Sequence, residues 1–326
     1  MPKELKDLHV VVDCSIFDMK GVNLKNLPGD ICVFLDDGSF LSATKSKLRM
    51  YNKLGTIVWE MPGHFHHQVN LSLDKQHILA MGSESLKEGE ENFRYDQFLV
   101  IGLDGKIKHK ENIKKYLTDP KLDLKSQTIN DPAIFKEWGY NKEKTHCNSF
   151  YEVPKLSLAG SRPMEQGDLV INCLNLGVFI VSKDLKSLKL LRYLKASWRH
   201  QTHDVQITQN GHALVFNNIV MTDTALGRHR SFSAVQIIDL ESEKIQYEFK
   251  ANPEELFFSP VRGGAQELGE DLLVISPGTN GSYIYSRNQK KVVLALPWTH
   301  WGTNFRPLGR QQAKVYDLRS FLSHAL

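Results

Sequence analysis

Four histidines recur at matched places along this chain, and imidazole is the side chain best suited to move protons or attack an electrophile near neutral pH. One short apolar strand opens at His67 (HHQVNLSLDKQHILAM), another at His146 (HCNSFYEV) and a third at His203 (HDVQITQNGHALVFNN). A late repeat opens at His300 (HWGTNFRPLGR), and the repeat before it carries Gly263 in the same place (GGAQELGEDLLVISPG). Three residues further on stand Asn70, Ser149, Gln206, Gln266 and Thr303, all polar. A single histidine here would read as a strand cap. Four at equivalent positions point to a shared site, because Asp, Asn or Ser would cap a strand equally well.

Arginines gather around the same segments. Arg228 and Arg230 follow the strand HALVFNN, Arg262 directly precedes GGAQ, and Arg199 and Arg306 flank His203 and His300. The guanidinium fork matches sulfate, phosphate or carboxylate, and two or three such groups suffice to hold one oxyanion. No metal and no cofactor is expected. The repeats hold no HxxxH pair, and the local cluster His64, His66 and His67 (HFHH) is a weaker reading than a channel of histidines.

For residues so far apart to converge, the chain must repeat a unit around an axis. Asp30–Glu60 displays that unit: ICVFL, the turn DDGS, FLSA, LRMYN, a tight LG turn and TIVWE. Apolar/polar alternation between Gly- and Asp-containing turns is the signature of antiparallel strands. The unit restarts near 29, 67, 146, 203, 263 and 300, which predicts an all-β chain folded as one six-bladed β-propeller over 1–326, five or seven blades being the alternatives. The inner strand of each blade lines the channel, so its first residues meet at the axis. The segment 108–144 reads as an inter-blade excursion with a short helix near Pro132–Trp138. The strand His9–Cys14 has no turn partner of its own, and Thr299–Leu318 begins a unit that stops early. The last blade is therefore expected to be closed by both termini.

Composition narrows the function classes. The formal charge is +4 over 326 residues, with lysines and acids interleaved, so nucleic acid is not an expected partner. The longest apolar runs, Leu272–Ser276 and Gly177–Val181, are strand length, and no membrane span is expected. Met1–Asp7 is charged and shows no export signal. The four cysteines have no metal spacing and read as buried free thiols.

The stretch from His146 to Leu296 resembles the bacterial arylsulfotransferase family. The phrases that carry the likeness are HCNSFYEV, QTHDVQITQNGHALVFNN, RSFSAVQIID and SPVRGGAQELGEDLLVISPG with GSYIYSRN, in that order. The resemblance implies a six-bladed propeller that moves a sulfuryl group from an aryl sulfate ester to a phenolic acceptor through a sulfated histidine, without the nucleotide sulfate donor. It implies catalytic roles for His146, His203, His300 and Arg230, with His203 and His300 the candidate nucleophiles. His67, Asn148, Gln206, Arg228, Arg262 and Gln266 are the expected substrate-binding residues. The family's nucleophile comes from a late blade, where this chain has Gly263 and Gln266. Family members are mostly exported, so a removed signal and a cytoplasmic relative are both open. A propeller that binds a small anion or a protein without turning it over is the alternative.

Overall fold

Aspartate sets the hairpins. In the turn after Phe34, the Asp37 carboxylate accepts the Ser39 hydroxyl and, at 2.9 Å, its N–H, while Gly38 takes a φ of +85°. Those bonds, the hydroxyl first, hold the Asp37 carboxyl below its ordinary range. Asp74, Asp104, Asp184 and Asp239 repeat the device, each accepting the N–H two residues on at 2.9–3.2 Å. Such turns return the chain after each strand and make antiparallel pairing the default.

The computed structural model describes residues 7–117, 142–157, 164–174, 176–192, 200–223, 228–251, 259, 263–268, 271–277, 282–296, 314–316 and 322. Strands β1 (His9–Val12), β2 (Ser15–Asp18) and β3 (Asn23–Asn26) come first, followed by β4 (Ile31–Phe34), β5 (Phe40–Thr44), β6 (Lys47–Tyr51) and β7 (Ile57–Pro62). The next sheet holds β8 (Phe65–Leu71), β9 (His77–Glu88), β10 (Glu91–Gly102) and β11 (Ile107–Asn112). The two-residue β12 (Lys142–Glu143) lies parallel on β10. Then come β13 (Cys147–Glu152), β14 (Leu169–Cys173), β15 (Gly177–Val181) and β16 (Leu188–Arg192). They are followed by β17 (His200–Ile207), β18 (Ala213–Asp223), β19 (Arg228–Ile238) and β20 (Ile245–Ala251). Strands β21 (Gly264–Leu268), β22 (Leu272–Ser276), β23 (Ser282–Ser286) and β24 (Lys291–Leu296) form the last complete set, and β25 (Lys314–Tyr316) ends the series. Six antiparallel sheets stand in a ring as a six-bladed β-propeller. The sixth sheet has the order β25-β1-β2-β3, with His9 opposite Tyr316 and Val11 opposite Lys314. Both ends of the chain therefore close one blade.

Two expectations need correcting. The strand at His9 does have a turn partner, since β1 forms a hairpin with β2, and the C-terminal segment contributes the blade's fourth strand. The cysteines are not free thiols. Cys14 is bonded to Cys32 and Cys147 to Cys173. The first bond joins the sixth blade to the first, and the second joins residues directly opposite on β13 and β14. Sequence distance concealed both, because ring closure and strand pairing are what bring the cysteines together. The excursion's 118–141, with the helix expected near Pro132–Trp138, lies outside the described residues, as does the repeat start at His300.

Each of the six hydrophobic clusters lies between two neighbouring sheets, so strands bury both faces. On β1, Val10 and Val12 pack against Val274 and Ile284 of the fifth blade, while Val11 packs with Cys32 and Phe34 of the first. On β22, Leu273 and Ile275 face the fourth blade and Val274 the sixth. Period-2 alternation sorts these residues between two interfaces, which is why the strands read as unbroken apolar runs.

The inner strands are tied by a second, polar device. The Gln68 amide oxygen accepts the Phe150 N–H while the Asn70 amide donates to the Phe150 carbonyl at 2.9 Å. One blade later, the Ser149 hydroxyl serves both purposes, accepting the Val205 N–H at 3.0 Å and donating to its carbonyl at 3.3 Å. Next, Asp204 accepts the Ala265 N–H at 3.2 Å and Gln206 donates to the Ala265 carbonyl at 2.8 Å. Phe150, Val205 and Ala265 are thus equivalent, each gripped through its main chain by the blade before it. Ser149→Ala would leave a buried N–H and C=O of Val205 without this partner. The variant is expected to lose about 1–3 kcal/mol of stability in urea unfolding, and an unchanged midpoint would show that the grip contributes nothing.

Candidate functional site

Beta-bulges aim the histidines. The register of β17 slips between Thr202 and Asp204, making His203 an extra residue, and that of β13 slips between Cys147 and Ser149, at Asn148. The register of β8 slips between Phe65 and Val69, around His67, whose φ is +56°. A bulge turns its residue out of the ladder and re-aims the side chain. Measured from the gripped residues, the matched positions are His67, Asn148, His203 and Gly263. His146 stands two residues earlier than the repeat alignment placed it.

His146 nevertheless reaches the same place. Its ring centroid is 4.8 Å from that of His67, and the His203 ring is 6.1 Å from His67. Three histidines drawn from three blades share one partly open space. The His203 Nδ1 lies 3.0 Å from the Gly263 carbonyl oxygen. A carbonyl only accepts, so Nδ1 carries the proton and the neutral ring's lone pair is on Nε2. Gly263 has its own reason to lack a side chain: its φ is +137°, and a Cβ would run into the Phe216 ring.

Behind the histidines lies a buried charge cluster that repeat alignment did not reveal. Arg94 and Asp96, two apart on β10 and so on one face, are 2% and 0% exposed. Their side chains meet at 2.9 Å. Strand β12 pairs Glu143 with Arg94, and the guanidinium donates to the Glu143 carboxylate. The same carboxylate oxygen, Oε1, stands 3.0 Å from Nδ1 of His146. Asp96 also accepts the Cys147 N–H at 2.8 Å, and His66 Nε2 lies between the Asp96 carboxylate (3.0 Å) and the Gly82 carbonyl (2.8 Å). Burial alone would push the Asp96 carboxyl up; Arg94, then His66, outweigh it and hold the value down at about 2. The one guanidinium is shared by both carboxylates, and its Nη2 also stands 2.6 Å from Nε2 of His66. The signal was present in the sequence as two charges inside the apolar strand FRYDQFLV, and as a glutamate three residues before His146.

Other expected site residues are placed as follows. The Gln206 amide bonds to Ala265, and Asn148, 2% exposed, reaches toward the Thr202 carbonyl at 3.5 Å with its Oδ1 unpartnered among the described residues. Gln266 is half-buried on β21 opposite Val274. Arg230 and Arg228 lie on β19 opposite Met221 and Asp223 of β18. His300, Arg262, Arg199, Arg306 and Thr303 lie outside the described residues. His64 points to solvent while His66 turns inward, so the HFHH run splits. Among the described residues no group of three or more His, Cys, Asp or Glu has metal-binding geometry. Tyr151 adds a second polar layer: desolvation first, then its bond to the Asp204 carboxylate, raise its phenol well above the ordinary value.

No protein-family model matches the chain, and no curated protein matches it. Solved structures do. A Bacteroides caccae protein of unknown function aligns with a TM-score of 0.53 at 12% identity, covering 89% of this chain and 93% of that one. An oligogalacturonate lyase in complex with manganese aligns with a TM-score of 0.48 at 8% identity, covering 90% and 73%. At 12% identity the first likeness shows the fold alone.

The Asp96 carboxyl is held below its unfolded value, so its contribution is complete above the ordinary carboxylate range and is lost as pH falls through the folded value. Between about pH 4 and 2 this loss amounts to about 2 kcal/mol. Urea unfolding across that window is expected to show the loss in the wild type and not in Asp96→Asn. Parallel pH profiles for the two proteins would refute it.

Proposed function

We propose that this propeller transfers a sulfuryl group from an aryl sulfate ester to a phenolic acceptor through a sulfated histidine. The observation that carries the reading is the meeting of His67, His146 and His203 from three different blades in one half-open space. A structural cap has no need to gather three imidazoles, whereas a group-transfer centre needs a nucleophile beside an acid–base.

The steps balance on these residues. Nε2 of His203 attacks sulfur in line, the sulfur–oxygen bond to the aryl group breaks, and the departing phenolate keeps that bond's electron pair and takes a proton from Nε2 of His146 in its imidazolium form. The acceptor phenol then returns a proton to His146 as its oxygen attacks the same sulfur. The sulfur–nitrogen bond breaks and the neutral imidazole is restored. His67, whose ring neighbours both others, bears on the sulfate oxygens, Arg230 supplies the arginine charge that the family likeness implies, and Arg228 is a further substrate contact. Asn148 and Gln266, with Arg262, are the remaining substrate contacts of this reading, and His300 is the second candidate nucleophile. The two disulfides favour an oxidising compartment, as for an exported enzyme.

One observation favours binding without turnover: Nδ1 of His203 is engaged by the Gly263 backbone, as a strand cap would be. Release of p-nitrophenol from p-nitrophenyl sulfate with excess phenol separates the two readings. Acceptor-dependent release is expected, falling about 100-fold or more in His203→Ala and in His146→Ala. Abolition in His300→Ala with His203→Ala active would transfer the nucleophile's role. No release above heat-killed protein would sink the transfer chemistry in favour of the binding propeller.

A further inference from the structure

We propose that Glu143, backed by Arg94, is a positioning residue that sets the tautomer of His146, so that Nε2 is the reactive nitrogen of that ring. The inference deepens the transfer reading and rests on it only for its effect on turnover.

The argument begins with the acceptor. The Glu143 carboxylate can only accept, and its Oε1 lies 3.0 Å from Nδ1 of His146. The proton of the neutral ring is therefore on Nδ1, and chemistry at the cluster falls to Nε2. Left to water, a neutral imidazole favours the opposite form, with the proton on Nε2. A carboxylate sets a tautomer reliably only if it cannot rotate away, and Glu143 is held on every side. It is 4% exposed, it is carried on β12 in register with Arg94, and it accepts from the Arg94 guanidinium through the same Oε1. Arg94 is fixed in turn by Asp96, which is anchored to the Cys147 N–H at the head of β13. The chain Asp96–Arg94–Glu143–His146 crosses from the second blade to the third. His203 receives the same setting by other means, through the Gly263 carbonyl. Two rings from different blades are thus set alike, with the lone pair of the neutral ring on Nε2.

The test is a two-bond proton–nitrogen NMR spectrum of histidine-labelled protein at a pH where the rings are neutral, with His146 identified by its loss in His146→Asn. Wild type is expected to show His146 as the Nδ1–H form. Glu143→Leu is expected to move it to the Nε2–H form, and the unchanged His203 signal reports that the cluster is still folded. Glu143→Gln is expected to retain the Nδ1–H form. Arg94 can only donate, so the amide oxygen must take the place of Oε1. Wild-type His146 in the Nε2–H form, or a Leu variant that keeps Nδ1–H, overturns the proposal. Should the Leu variant fail to fold, the wild-type and Gln spectra decide, an Nε2–H signal in either overturning it. Turnover of p-nitrophenyl sulfate is a separate arm: Glu143→Leu is expected to lose about 100-fold or more in kcat with KM little changed, and Glu143→Gln to keep most of the rate. An inactive wild type would refute the transfer reading and leave the tautomer to the spectra.

Discussion

Everything at the axis of this molecule depends on how one inner strand holds the next. An inner strand has a partner on one edge only, and its other edge presents main-chain groups that must be paired or pay the cost of desolvation. Here the pairing comes from side chains of the preceding blade. Gln68 with Asn70, Ser149 alone, and Asp204 with Gln206 each grip a single residue through both its N–H and its C=O. The apolar clusters between sheets resist separation but are indifferent to small slides. The polar grips are directional, and they fix the height of one blade against the next. Histidines one residue before the grip, at 67 and 203, are consequently delivered to a common level.

The buried charges bear on the same interface from the side. Asp96 belongs to the second blade yet satisfies the first N–H of the third, and Arg94 draws Glu143 onto the edge of β10. A cluster of this kind contributes little net stability, because dehydrating the ions offsets most of their attraction. What it gives is a fixed direction for each group. Arg94 is the member both pairs share, so removing it leaves Asp96 and Glu143 without the cation that joins them.

Much of the architecture could be read from the chain. Alternating apolar residues between Asp- and Gly-containing turns predict antiparallel blades, and the recurrence near 40–80 residues predicts a ring. The convergence of His67, His146 and His203 also followed from the repeats. The detail did not. Alignment put His146 level with His67 and His203, whereas bulges shift the matched position to Asn148, and a bulge leaves no mark in hydrophobic periodicity. Gln206 reads from the sequence as a substrate contact, whereas its amide, like the Asn70 amide and the Ser149 hydroxyl, serves the neighbouring strand. Arg94 and Glu143 lie 49 residues apart, and only the return of β12 to β10 joins them. Gly263 looked like a lost histidine. Its backbone and the Phe216 ring show that no side chain fits there.

The way the ring closes has a consequence for the order of events during synthesis. The sheet begun by β1, β2 and β3 waits for β25, so its edge stays raw until the strands of the other five blades have been made. The bond between Cys14 and Cys32 spans only 18 residues of sequence, and both cysteines emerge early. It can moor the unfinished blade to its neighbour long before the closing strand arrives. The same link marks out the seam: a molecule opened there would unzip from its C-terminal strand first, with the N-terminal strands still tethered in place for another attempt.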